Sequence, residues 1–374
     1  MDLGLNEAQL MLKNSAREFL DAECPTTYVR EMELDERGYT TEMWQKVAEQ
    51  GWLGLIFPEE YGGFGLNFVD LSILLEEIGR VMLPGPLFST VVMGGMTILD
   101  AGSEEQKKEL LPQIGEGQLI VTLALTEPSA RWDAQGVETR ATQSGDNWSI
   151  SGTKLFVPNA HVSDTYVVAA RTGDGEKDIS LFLVPRNTSG VSQTLLKTIA
   201  SDRQSEVVLD NVSVPSSALL GEVNKGWDTI EKVLAWGAIG KCAEMVGGAQ
   251  EVLDMTVEYV KQRTQFGRPI GSFQAIQHHC ANMATDVEGS RYITYQAAWH
   301  LSEGMPAENE VAMAKAWVSE AYRRICALGH QCHGAIGFTK EHNMQLYSRR
   351  AKAAELAFGD SDYHLEAVAE AIGL

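Results

Sequence analysis

The sequence predicts an α+β protein, with helices at both ends and a β-domain between them. Two changes of periodicity and the spacing of the turns carry that prediction. Apolar residues follow a helical period up to about residue 115, alternate from about 118 to 215, and return to the helical period after Gly226. Turn-forming residues cut the alternating part into short pieces, while the last part runs in long uninterrupted stretches.

In the first part, Asn6 with Gln9 three positions later predicts a capping box, opening a helix with Leu12, Ala16, Phe19 and Leu20 on one face. A second helix carries Trp44, Val47 and Ala48 and ends near Gly51, and an apolar one spans 71–78. Ser103 with Gln106 opens another in the same way, and Pro112 and Gly115 are expected to close the region. Strands are expected at 119–125, 137–142, 148–151, 154–157, 165–170, 179–184 and 207–209. Turns at 144–147, 173–175 and 187–190 separate them, which predicts a small antiparallel barrel or sandwich. Long helices follow at 226–259, 273–303 and 311–328, broken at 267–271 and 305–306, as in a bundle. The expected domains are therefore 1–115, 116–225 and 226–374.

Charge excludes one class of partner. The chain has 30 Lys and Arg against 51 Asp and Glu, a net charge of −21, and no basic run that would neutralise phosphates, so no nucleic acid is expected. No segment approaches the roughly 20 apolar residues that a membrane span needs. The N-terminus has neither the basic start and apolar run of a secretory signal nor an Arg-rich presequence, and five scattered cysteines form no Cys-x-x-Cys pair. A cytoplasmic protein with reduced thiols is expected. His330 and His333 have ligand spacing without a nearby carboxylate to complete a set, so no metal is expected.

Three motifs lie in order on this scaffold. Ala124-Leu125-Thr126-Glu127-Pro128 ends a strand, Arg263-Thr264-Gln265-Phe266-Gly267 leads through Phe273-Gln274 into a helix, and Gln331-Cys332-His333-Gly334-Ala335-Ile336-Gly337-Phe338 follows another helix. With Tyr61-Gly62-Gly63-Phe64-Gly65 and the domain order, the chain resembles the acyl-CoA dehydrogenase family over its whole length. Phe358-Gly359-Asp360-Ser361-Asp362-Tyr363-His364 and Cys242-Ala243-Glu244 are similar to the small (beta) subunits of heteromeric pimeloyl-CoA and steroid-side-chain acyl-CoA dehydrogenases. The resemblance implies an N-terminal helical domain, a central small antiparallel β-barrel and a C-terminal four-helix bundle.

It also implies FAD, an acyl-CoA thioester substrate and an electron-transferring flavoprotein as partner. The implied reaction removes an α-proton while a hydride leaves the β-carbon for the flavin, so it needs a carboxylate base and donors to the thioester oxygen. On the flavin side the resemblance points to Leu125, Thr126, Phe156 and Pro158. Here Ser129-Ala130-Arg131-Trp132-Asp133 stands where the family has a small Gly-Ser phosphate seat, and Trp132 is expected to crowd it. Arg131 offers a positive charge instead. Pro158 lacks the hydroxyl that usually reaches the flavin ring. On the nucleotide side the resemblance implies Arg263, Gln265, Phe266, Gln274, Gln331, Gly334 and Ala335, which clamp the ADP part of the FAD held by a neighbouring subunit. Arg263 suits pyrophosphate, Phe266 gives an aromatic surface and Gly334 permits close approach.

The base is missing from both family positions, which fall on Phe358 and Gly237. Asp360, two residues past the first, and Glu244, two helical turns past the second, are the nearest carboxylates considered. His342 and His364 are expected at the surface or in caps. Three readings follow from a retained clamp without a base. The chain is a subunit completing the FAD site of a larger acyl-CoA dehydrogenase subunit (α2β2), a homo-oligomer using Asp360, or a flavin-free binding or scaffold protein. The small-subunit resemblance also suggests a steroid-like or dicarboxylic acyl chain.

Overall fold

The computed structural model describes residues 4–374. Its helices are α1 (Glu7–Glu23), α2 (Thr26–Leu34), α3 (Thr41–Glu49), α4 (Phe68–Val81), α5 (Met96–Ala101), α6 (Glu104–Gly115), α7 (Gly226–Gln262), α8 (Gln274–Ser302), α9 (Glu308–His333), α10 (Met344–Leu356) and α11 (Ser361–Ala371). Its strands are β1 (Val121–Ala124), β2 (Arg140–Ser144), β3 (Asn147–Pro158), β4 (Thr165–Arg171), β5 (Ile179–Pro185), β6 (Val191–Leu196), β7 (Gln204–Pro215), β8 (Leu219–Leu220), β9 (Thr264–Gln265) and β10 (Arg268–Pro269). The chain forms two compact units, one of residues 4–30, 67–83 and 238–374, the other of 31–66 and 84–237.

The first unit is helical. Both arms of the Asn6–Gln9 capping box are made, and α1 lies on α4 by setting its cations over buried carboxylates: Lys13 Nζ reaches Glu76 at 2.9 Å and Arg17 reaches Glu77 at 2.8 Å. Helices α4 and α7 approach backbone to backbone. A Cβ on Gly247 would lie 1.8 Å from the Glu76 carbonyl oxygen, and one on Gly79 would lie 2.0 Å from that of Glu244. Gly247→Ala therefore forces the helices apart. Alanine gains up to about 1 kcal/mol in helix propensity, but overpacking costs about 1–3 kcal/mol, so a lower thermal midpoint is expected. An unchanged midpoint would show that the two helices can separate freely.

The second unit holds an eight-stranded sheet in the order β6-β7-β3-β2-β4-β5-β8, with β1 paired to β4. Its core includes Trp148, Ile150, Tyr166, Phe182 and Val207. The strands expected at 148–151 and 154–157 are one strand, β3, because Gly152 continues it through a bulge. A Cβ there would meet Thr139 Oγ1 at 2.3 Å and Thr139 Cα at 2.7 Å, so Gly152 permits a close approach to Thr139. The sheet is mixed rather than purely antiparallel: β1 and β4 run parallel from Val121 opposite Thr165 to Ala124 opposite Val168. The long segment between them, holding β2 and β3, permits the crossover that parallel pairing needs. Strand β6 was not foreseen because it is exposed along most of its length and lacks an alternating apolar pattern. Helix α6 contains Pro112 and ends at Gly115, and its Ser103–Gln106 capping box forms as expected.

Candidate functional site

In the sheet unit, the ends of β1 and β3 bring the flavin-side residues together. The Leu155 N–H donates to the Thr126 carbonyl at 2.8 Å, and the Thr122 hydroxyl donates to the Pro158 carbonyl at 2.8 Å. Between these bonds a bulge in β3 turns Phe156 outward, with φ +54° and half of the residue exposed. Leu125 is buried and Thr126 half-buried.

Below this surface lies an ion pair with no local signal in the sequence. Lys154 Nζ is 2.6 Å from Glu127 Oε1, with side-chain exposures of 0% and 3%. Lys154 also donates to the Leu125 carbonyl at 3.2 Å, and the Glu127 carboxylate accepts from the amides of Glu138 at 2.9 Å and Thr139 at 3.0 Å. Burial pulls Lys154 down to about 8, against the upward pull of the carboxylate. Burial pushes Glu127 up, but the Lys154 charge and the hydrogen bonds outweigh it and hold the carboxyl below its ordinary value. Glu127 thus staples the Leu125–Pro128 loop to its neighbours.

The next loop does not supply the cation expected for a phosphate. Arg131 is exposed, but its guanidinium grips Asp133 at 2.6 Å and Gln135 at 2.9 Å, because the acid lies only two residues away. The residues of the flavin-side phosphate seat therefore fit that group poorly.

The nucleotide-side residues all belong to the helical unit. Thr264–Gln265 pairs with Arg268–Pro269 in a two-residue hairpin, with Phe266 at φ +52° and Gly267 at φ +78°, the left-handed pair such a turn requires. Phe266 is 92% exposed at the tip. Behind it, Phe273 meets Phe266 edge-on at 6.0 Å and lies 4.1 Å below the Arg268 guanidinium. Arg263, Gln265 and Gln274 are exposed, although Gln265 bonds back to the Thr264 carbonyl at 2.8 Å.

The loop after α9 joins this hairpin through a ring stack. Tyr259, one turn before Arg263, stacks on His333 with centroids 4.4 Å apart. Gln331, Gly334 and Ala335 are exposed beside it. Gly334 has φ +64° and ψ −146°, a region essentially reserved for glycine, and open space lies where its Cβ would be. An exposed arginine, an aromatic tip and an open glycine make a donor set that fits the nucleotide end of FAD.

Phe358, where the resemblance implies the family's main base, is buried with φ +58°, followed by Gly359 at φ +89°. Asp360 caps α11, its Oδ1 accepting from the Tyr363 N–H at 2.9 Å. Glu244 pairs with Lys241 at 2.5 Å. Gly237 is a buried residue of α7 in the other unit. His342 is half-buried, and its Nδ1 accepts from the Met344 N–H at 3.2 Å one residue before the α10 N-cap, Asn343. His364, expected at the surface or in a cap, is instead buried, with Nε2 2.8 Å from the Phe358 carbonyl oxygen. Lys315 is also buried, on the face of α9 that carries Val311, Ala312, Val318 and Ser319, a position not singled out from the sequence.

His330 and His333 turn to other partners: His330 to the Ser348 hydroxyl at 2.6 Å, and His333 to the Gly329 carbonyl at 2.8 Å. Among the described residues, no group of three His, Cys, Asp or Glu side chains is placed to hold a metal, and all five cysteines are free thiols. No helix of the described residues is long and apolar enough to cross a membrane.

Residues 6–118, 122–212 and 224–373 match the family models described as the N-terminal, middle and C-terminal domains of acyl-CoA dehydrogenase. The chain is 34% identical over 371 residues to the probable acyl-CoA dehydrogenase YngJ of Bacillus subtilis (strain 168), covering 97% of each. It is 33% identical over 363 residues to the caffeyl-CoA reductase–Etf complex subunit CarC of Acetobacterium woodii, covering 95% of this chain and 96% of that one. A chain of the ChsE4–ChsE5 complex from Mycobacterium tuberculosis superposes with a TM-score of 0.91 at 28% identity, over 100% of this chain and 99% of that one. With all three domain models matched and relatives similar along nearly its full length, the chain belongs to the acyl-CoA dehydrogenase family, whose cofactor is FAD.

Proposed function

We propose that this chain is the FAD-clamping subunit of a heteromeric acyl-CoA dehydrogenase and brings no base of its own. The observation that carries the reading is the turn at Phe358–Gly359, which is well formed but holds no acid. The two nearby carboxylates considered as substitutes are engaged elsewhere, Asp360 in a helix cap and Glu244 with Lys241. The nucleotide-side residues, by contrast, stand exposed and fit their ligand, while the flavin-side loop has its arginine neutralised by Asp133.

FAD, when bound, takes up the hydride that leaves the acyl chain. In this chain Arg263 would hold the pyrophosphate, Phe266 would offer an aromatic surface, and Gln265, Gln274, Gln331, Gly334 and Ala335 would complete the clamp. A larger acyl-CoA dehydrogenase subunit in an α2β2 assembly supplies the base, the flavin seat and the acyl pocket. The pairing of ChsE4 with ChsE5 supports a two-chain assembly, and the Etf complex of CarC supports an electron-transferring flavoprotein as acceptor. The substrate in this reading is an acyl-CoA, with a steroid-like or dicarboxylic chain as the finer expectation. The three-part division at 1–115, 116–225 and 226–374, a closed small barrel, a four-helix bundle and a cytoplasmic location complete the proposal.

The test is the flavin-to-chain ratio and native mass, measured for the chain alone and co-expressed with a longer relative that carries an acid at either base position. Little flavin alone and one FAD per pair with the partner is the expected result. One FAD per chain in a homo-oligomer overturns the proposal. In that case Asp360→Asn, which keeps the helix cap, asks whether Asp360 is the base. No flavin uptake with any partner leaves a binding or scaffold protein.

A further inference from the structure

Two buried titratable side chains near the acid-free turn have no part in the clamp. Lys315 on α9 is fully buried, and its ammonium donates to three oxygens: the Ser319 hydroxyl at 3.1 Å and the carbonyls of Glu355 at 2.9 Å and Gly359 at 2.8 Å. All three of its donors are thereby used. His364 on α11 is 6% exposed, and its Nε2 meets the Phe358 carbonyl at 2.8 Å. Because the partner is a carbonyl, Nε2 carries the hydrogen.

Two successive carbonyls, of Phe358 and Gly359, are thus each held by a different buried side chain. The residues that bear them are both left-handed, at φ +58° and +89°. That conformation is costly for phenylalanine and persists only where its surroundings impose it. The space is closed as well: a Cβ on Gly359 would lie 2.4 Å from the Tyr363 ring and 3.0 Å from His364 Nε2. Asp360 starts the helix that carries His364 back to Phe358. The string Phe358-Gly359-Asp360, with His364 four residues later, is therefore a single structural device.

We infer that His364 and Lys315 are positioning residues that lock the Phe358–Gly359 turn in its left-handed form, so the usual base position keeps a rigid backbone without an acid. The inference rests on the subunit reading for its purpose, because a chain without a base keeps this turn for shape rather than proton transfer. The lock itself is tested independently of flavin.

Hydrogen exchange of the full-length chain, read by mass spectrometry on peptides covering 356–361, should quicken about tenfold in His364→Ala and return toward wild type in His364→Gln, whose amide restores a donor. Unchanged exchange in a folded His364→Ala protein overturns the lock. Should that variant not fold, nitrogen NMR of the wild-type histidines decides. A His364 ring bearing its hydrogen on Nε2 at pH 7 supports the lock, and one bearing it only on Nδ1 overturns it. Absence of FAD from the co-expressed assembly would overturn the subunit reading and leave both of these results standing.

Discussion

Glu127→Ala is expected to destabilise the sheet unit by about 3–5 kcal/mol, because it leaves the buried Lys154 ammonium without its counter-charge. The same change removes the acceptor for the Glu138 and Thr139 amides, so the Leu125–Pro128 loop loses its staple. Native-state hydrogen exchange of β3 and β4 amides reads the loss directly. The double replacement Glu127→Gln with Lys154→Met keeps an acceptor for the amides and removes the stranded cation. It is expected to recover all but about 1 kcal/mol. If Glu127→Ala cost less than the double variant, the ion pair would not be what holds the loop. The surface assigned to flavin should suffer with it, since Leu155, next to Phe156, donates its N–H to the Thr126 carbonyl in that loop.

The second large effect is expected at Glu76 in the helical unit. Its carboxylate accepts from Lys13 at 2.9 Å, Arg291 at 3.2 Å and the Tyr295 hydroxyl at 2.7 Å, with 3% side-chain exposure. Removing it in Glu76→Ala takes a shared acceptor from Lys13, Arg291 and the buried Tyr295 hydroxyl, though Lys13 keeps Glu77 and Arg291 keeps Glu288, for a loss of about 2–3 kcal/mol in urea titrations. Burial alone would raise this carboxyl, but Arg291 and Lys13 overcome it and hold it below the ordinary value of 4.5. A carboxyl depressed by folding contributes stability that is complete above the unfolded value and disappears as pH falls through the folded one. Wild type should therefore weaken below pH 4.5, and Glu76→Gln should show less of that dependence. An identical acid limb in the two proteins would assign the acid sensitivity to other groups.

The residues assigned to the proposed clamp lie close together in sequence, so the motifs that name them can be read from it directly. Arg263, Gln265, Phe266 and Gln274 share one short segment, and Gln331, Gly334 and Ala335 share another. The hairpin between Thr264 and Pro269 was not legible, since Phe266-Gly267 is not one of the strong two-residue turn signals. The absence of an acid at residue 358 was plain from the sequence. The lock around it was not: Lys315 is 44 residues from Gly359, and His364 looked like an exposed polar residue. Arg131 misled for the opposite reason. Its charge suggested a phosphate, and a partner two residues away neutralises it.

By itself the sequence determined the features that act over one or two turns of chain. These are the Asn6 and Ser103 capping boxes and the order of helical and β regions along the chain. Such features depend on neighbours three or four positions away, which the sequence displays. Only the tertiary structure decided that β1 runs parallel to β4, that Glu127 meets Lys154, that Gly247 brings α7 against α4, and that His364 and Lys315 close on the acid-free turn. All but the His364–Phe358 bond join residues distant in sequence, and for the charges and carbonyls among them burial selects the partner: a polar group taken out of water must be satisfied by whatever the packed chain brings beside it.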